Sequence, residues 1–200
     1  MRRCRERAGA AAPLAGLTAA AALALAGAAG AYVDRAPPGH TGGFDEPTCV
    51  SCHRGEPANS EGGGLEIVAP ATFAPGEEHV IEVRLARRGM ARGGFVLSAR
   101  WAEGERAGRQ AGELLPPRDA SEAVQVEVAH EVAYAGHTAS SADRGRGGAA
   151  SWRVRWRAPR EAPGPVVFHA AANAADYDDS EYGDFVYTAS ATARPARRSR

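Results

Sequence analysis

From Gly64 onward the chain alternates apolar and polar residues with a period of two, the pattern of strands that bury one face and wet the other. Leu65-Glu66-Ile67-Val68 begins the series. Residues 79–85 follow, with Ile81, Val83 and Leu85 on one side and Glu82 and Arg84 on the other. After Gly93-Gly94, Phe95, Leu97, Ala99 and Trp101 alternate with Val96, Ser98 and Arg100. A polar connection over residues 104–121 is interrupted only by Leu114-Leu115, ahead of Pro116-Pro117. Val124, Val126 and Val128 then alternate with Gln125 and Glu127, and residues 132–134 continue the pattern. The clearest alternation is Trp152-Arg153-Val154-Arg155-Trp156-Arg157, which turns two indoles and a valine inward and three guanidinium groups outward. Residues 166–171, Val-Val-Phe-His-Ala-Ala, are small or apolar on both faces and are expected in a central strand; residues 185–189 form the last one. About seven to nine short strands separated by turn residues predict an all-β fold, an antiparallel immunoglobulin-like sandwich over residues 64–192. Residues 193–200 read as a basic disordered tail.

The first 63 residues follow other rules. Residues 1–7 are positively charged, and residues 8–31 are an Ala/Leu-rich apolar run ending in small side chains. That order predicts a signal peptide over 1–31, cleaved before Tyr32. The competing reading is a retained membrane anchor, because the run is long enough to span, although Ala and Gly make it weakly hydrophobic. Residues 32–63 form a separate arm; its first part, residues 32–47, is Gly/Pro-rich with little apolar area to bury, a loop expected to lie over a flat bound group.

Composition narrows the class. Removal of the leader leaves roughly 170 residues, enough for one packed core. The 24 basic residues are all Arg, a compositional bias with no function attached. Taking Arg2, Arg3, Arg5, Arg7 and Glu6 from 24 basic and 24 acidic residues leaves a net charge near −3, so no nucleic-acid partner is expected. Of the three cysteines, Cys4 lies in the leader, and no disulfide framework can be drawn from the rest.

The remaining pair carries the chemistry. Cys49-Val50-Ser51-Cys52-His53 is a CxxCH motif: two thiols at this spacing reach the two vinyl groups of one porphyrin while the next residue ligates its iron. The expected cofactor is covalent haem c, bound through Cys49, Cys52 and the proximal ligand His53, and export suits its attachment outside the cytoplasm. A local disulfide, a zinc site or thiol exchange are weaker readings, since no second CxxC and no βαβ context are present.

For the other axial position His137, in Tyr134-Ala135-Gly136-His137-Thr138, is the leading candidate and reads as a loop residue. His40 lies on the arm and is able to fold back. His169 reads as a core histidine, His79 and His130 as strand-end residues, and Met90 as a turn residue whose ligation would raise the potential. Asp176, Asp178, Asp179, Glu181 and Asp184 offer hard oxygens for calcium but lack EF-hand spacing, so a solvated loop is preferred over Ca2+. Trp152 and Trp156 are expected in the core rather than stacked on a ring. No nucleophile constellation or phosphate loop is present, so an enzyme is not expected.

The order of the CxxCH motif, RRGMARGGF at residues 87–95, YAGHT at 134–138, WRVRWRAP at 152–159 and GPVVFHAAANAADYDDSEYGDFVYTA at 164–189 resembles bacterial reelin-domain (Reeler-like) proteins. The resemblance implies a secreted immunoglobulin-like sandwich, non-enzymatic, with a c-type haem and a histidine at the position of His137. The function expected is that of an exported monohaem cytochrome-like electron carrier, periplasmic or extracellular, serving an unidentified redox protein and free of the membrane once the leader is cleaved. Two alternatives stand beside it: a Reeler-like binding or adhesion module with a structural cysteine pair, and a haem sensor with an open iron site.

Overall fold

The computed structural model describes residues 34–119, 123–143, 147–178 and 180–197; the expected leader over 1–31 lies outside them. The strands in chain order are β1 (Arg54–Gly55), β2 (Gly63–Val68), β3 (Thr72–Phe73), β4 (Glu78–Arg87), β5 (Arg92–Trp101), β6 (Glu113–Leu115), β7 (Val124–Ala129), β8 (Val132–His137), β9 (Ala149–Arg157), β10 (Val166–Ala175) and β11 (Tyr182–Pro195). Helical structure among the described residues is a 3-10 turn at Cys49–Ser51 and a single-turn helix, α1, at Ala139–Ala142. Four strands form one sheet in the order β2-β4-β9-β6. The other runs β1-β11-β10-β5-β8-β7, with β3 on the far end of β11. The long ladders are antiparallel, and β1 and β3 add short parallel pairings to β11. The chain is a β-sandwich, as the alternation predicts.

The two inner faces meet in one core. Ile81, Val83 and Leu85 of β4 and Trp152, Val154 and Trp156 of β9 pack against Phe95, Leu97 and Ala99 of β5 and Phe168, Ala170 and Ala172 of β10. Trp152 stacks on Phe95 with ring centroids 4.7 Å apart. Trp156 meets Phe73 and Phe168 edge-on and donates its indole N–H to Ala111 O at 2.9 Å, which satisfies its polar atom inside the core. Both indoles are therefore core, as expected. Met90 closes the turn expected there, its N–H donating to Arg87 O at 3.2 Å, but it is 4% exposed and its side chain belongs to the same core cluster.

The outer faces differ. On the four-stranded sheet Arg84, Arg155 and Arg157 stand in solvent and pair with Glu82, Glu78 and Glu113. On the larger sheet Val96, Ser98 and Arg100 of β5 are as buried as the core residues between them, because the arm upstream of β2 lies across this face. Glu46 of the arm accepts hydrogen bonds from Arg100 and from the Tyr134 hydroxyl, the latter at 2.5 Å. Its second oxygen accepts from Thr41 N and Oγ1. Gly43 sits so close to the His169 ring that a Cβ there would lie 2.4 Å from it, and Asn59 pins the end of the arm to β11 through Val186 and Thr188. The Gly/Pro composition makes the arm thin enough to lie flat on the sheet.

Two boundaries depart from expectation. Residues 193–195, assigned to a disordered tail, continue β11: Arg194 and Pro195 pair with Thr72 and Phe73, and Ala193 is fully buried. Their partner lies far upstream, and local composition carries no sign of it. Likewise Tyr134 to His137 belong to β8 rather than to a loop.

Candidate functional site

The CxxCH segment closes on itself by backbone hydrogen bonds. Thr48 caps it, its Oγ1 accepting from Val50 N, and Cys49 O accepts from both Cys52 N and His53 N, at 3.1 and 2.9 Å. Immediately afterwards Arg54 N donates to Glu181 O at 2.6 Å and β1 runs beside β11. His53 is thus held between a tight turn and a sheet edge, and the residues after it extend as a strand, in keeping with their poor helix propensity.

Its side chain is fixed from below. His53 Nδ1 lies 2.5 Å from Asp184 Oδ2, and Asn173 Nδ2 donates to the same oxygen at 3.1 Å. The same Asn173 nitrogen lies 3.0 Å from His53 Nδ1; a carboxylate only accepts, so the shorter contact to ionised Asp184 puts the ring proton on Nδ1, the amide gives its hydrogen to Oδ2, and the Nε2 lone pair is left available. A carboxylate behind the ring in this way is the arrangement that orients metal-bound histidines.

His53, Cys49 and Cys52 line one cleft of about 240 Å³, and His40 and His137 line it with them. The β5–β8 ladder stops at the pair Val96–Gly136. In the next place Phe95 N lies 3.1 Å and Phe95 O 3.3 Å from His137 Nδ1. The ring, only 6% exposed, covers Gly94, where a Cβ would come within 2.7 Å of it. With its proton on Nδ1, His137 presents a lone pair at Nε2; with Nδ1 accepting from Phe95 N, Nε2 carries a proton and becomes a donor. His40 has no such ambiguity. Its Nδ1 donates to Pro38 O at 2.9 Å, and its Nε2 keeps the lone pair.

The other candidates are elsewhere. His169 sits under the arm, edge-on to Phe44, and burial, aided by the charge of Arg100, lowers its pKa below the usual 6.5. His79 lies beside Glu77 and stacks on Trp156, and His130 occupies the β7–β8 turn with φ 49°. Of the acidic set, Asp184 turns inward to His53, whereas Asp176, Asp178 and Glu181 stay in the loop and Asp179 lies outside the described residues. Among the described residues no group of three or more His, Cys, Asp or Glu side chains is placed to hold a bare metal ion.

Both thiols are free of a disulfide. Burial pushes the Cys49 thiol up to about 12, with the nearby Cys52 adding to the rise. A thiol that stays protonated near neutrality is a poor exchange nucleophile. Thioether attachment makes no such demand on the folded protein. The donor set fits a covalently held haem: two thiols, a carboxylate-oriented imidazole, further imidazoles in the same cleft, and a floor of Gly93 and Gly94. The volume is slightly below the range of about 300 to 1,000 Å³ typical of ligand pockets, so a porphyrin here would be enclosed only in part, with the rest at the surface.

Sequence reasoning missed Asn173, Asp184 and Gly94 as site residues. Asn173 was legible in principle, as the one amide in the apolar run of residues 166–175. Asp184 was hidden among neighbouring acids, and Gly94 was read only as a strand opener.

Compared with known proteins, the chain matches no family model and no curated protein. Among solved structures it is similar to the crystal structure of BcpA, the major pilin subunit of Bacillus cereus, at 8% identity and a TM-score of 0.37, covering 67% of this chain and 40% of that one. No helix among the described residues is long and apolar enough to cross a membrane.

Proposed function

We propose that this protein is an exported monohaem c-type cytochrome-like electron carrier built on a Reeler-like sandwich. The observation that supports this most is the pairing of a CxxCH turn with a histidine whose Nδ1–H is taken by a buried carboxylate, leaving Nε2 to the cleft that Cys49 and Cys52 share. The thiols of Cys49 and Cys52 would hold the group as thioethers, each S–H adding across one vinyl group, and His53 Nε2 would bind its iron. When bound, the haem supplies a one-electron ferric/ferrous couple. His137 or His40, which line the same cleft, would supply the second ligand.

The test is expression with a cytochrome maturation system, followed by intact mass and a pyridine haemochrome spectrum. A chain heavier by one haem is expected, and Cys49→Ala/Cys52→Ala should abolish the gain. A bare-polypeptide mass overturns the proposal and leaves the adhesion-module reading, in which the cysteine pair is structural.

A second reading has its own observation. If His137 Nδ1 accepts from Phe95 N, its Nε2 carries a proton and cannot ligate, and unless His40 takes that place the iron would be an open sensor site. Carbon monoxide separates the two. A ferrous protein that binds it without displacing a ligand is open, and single His137→Ala and His40→Ala variants show which ring, if either, changes the Soret band.

A further inference from the structure

Asp184 is an expensive residue where it stands. Its side chain is 2% exposed, Oδ2 is shared between His53 and Asn173, and Oδ1 is buried with no hydrogen-bond partner. The arginines that line the cleft, Arg35 and Arg92, are paired with Glu127 and Asp143 instead. Burying a carboxylate against a neutral imidazole and an amide leaves its charge uncompensated. A cation bound at Nε2, drawing charge through the ring, relieves this.

We infer that Asp184, seated by Asn173, is a positioning residue that fixes His53 for ligation and holds the bound iron preferentially in the ferric state. The inference rests on the haem reading above and extends it to residues outside the CxxCH motif. The carboxylate pulls the Nδ1 proton, making Nε2 a stronger donor, and a stronger donor stabilises the more highly charged iron. Asn173 moderates that pull, because its amide N–H occupies part of the same oxygen while its nitrogen crowds His53 Nδ1 at 3.0 Å. Its backbone lies between Gly94 of β5 and Val186 of β11, and Asp184 pairs with Gly55 of β1, so both residues are fixed by the sheet.

The two residues therefore act with opposite signs. In haem-loaded protein, Asp184→Asn should raise the reduction potential, shifting the ferric-to-ferrous ratio at a fixed applied potential by tenfold or more, about 59 mV for one electron. Asn173→Ala should lower it by a smaller amount. A spectroelectrochemical titration of wild type and both variants reads this, with Glu78→Gln on the far sheet as control. As a readout independent of bound haem, nitrogen NMR of the apo-protein should show His53 protonated on Nδ1 in the wild type, and a mixture of tautomers in Asp184→Ala. Haem-loaded variants whose potentials match the wild type, or move in the same direction, overturn the inference and leave the haem reading intact. Should Asp184→Asn fail to fold, the sign of the Asn173→Ala shift decides alone. A wild-type chain that gains no haem mass overturns both, and the mass distinguishes that result from the others.

Discussion

The two outer faces of this sandwich are made from the same alternation and end in opposite environments. On the four-stranded sheet, Arg84, Arg155 and Arg157 project into water and meet Glu82, Glu78 and Glu113 in exposed pairs. On the larger sheet, the equivalent positions Val96, Ser98 and Arg100 are sealed under the arm, and Arg100 meets Glu46 and Tyr134 in near-complete burial. An ion pair in water is worth little because solvent screens it and side-chain entropy opposes it. The same pair under a lid leaves a stranded charge if one member is lost. The covered face is also where the CxxCH turn is mounted, so the mechanical part of the molecule and its candidate chemistry share one layer.

The contrast is open to direct measurement, and the largest effect should come from its centre. Glu46→Ala takes the counter-charge from Arg100, leaving its buried guanidinium with only the Tyr134 hydroxyl, and is expected to destabilise by about 3–5 kcal/mol in urea denaturation. Glu82→Ala, which removes a partner of Arg84 on the exposed face, should stay within about 1 kcal/mol; equal losses would break the distinction between the faces. Next in size is Gly43→Ala. The new methyl would lie 2.4 Å from the His169 ring, so an overpacking cost of about 1–3 kcal/mol is expected. Gly64→Ala meets no atom within 4 Å and should be close to neutral, and a neutral result at Gly43 as well would mean that the arm is not seated as described.

Smaller still is the pH response. His169 has its pKa lowered in the folded protein by burial, with help from Arg100, so the unfolded chain takes up its proton first as pH falls. The contribution is complete above 6.5 and is lost as pH drops from there through the lower folded value. Thermal midpoints of wild type and His169→Gln should therefore converge on acidification across that window; parallel curves would show that the ring titrates as it does in water. The smallest effect is chemical and leaves stability untouched. Because the Cys49 thiol is pushed up to about 12, iodoacetamide at mildly alkaline pH should label the haem-free Cys52→Ala protein far more slowly than the same protein in urea. Equal rates would place Cys49 in solvent.

The strands were largely legible because period-two alternation is written by neighbours two residues apart. β9 shows it cleanly, as its Arg face is wet. β10 shows none, which is the mark of a strand buried on both sides, and that absence was the one local hint that something covers the larger sheet. What the hint does not name is the cover. Glu46 reaches Arg100 across 54 residues and His53 reaches Asp184 across 131, and neither contact leaves a trace in local composition.

By itself, then, the amino-acid order determined the strand positions, the layered β architecture and the CxxCH turn, since each depends on short-range spacing and side-chain type. Only the tertiary structure decided which sheet face the arm seals, that β11 carries on through Pro195, and which imidazoles and which carboxylate gather around His53. Those outcomes rest on hydrogen bonds and burial between segments far apart in the chain, where any of several His and Asp residues satisfies the same local rules and only packing chooses among them.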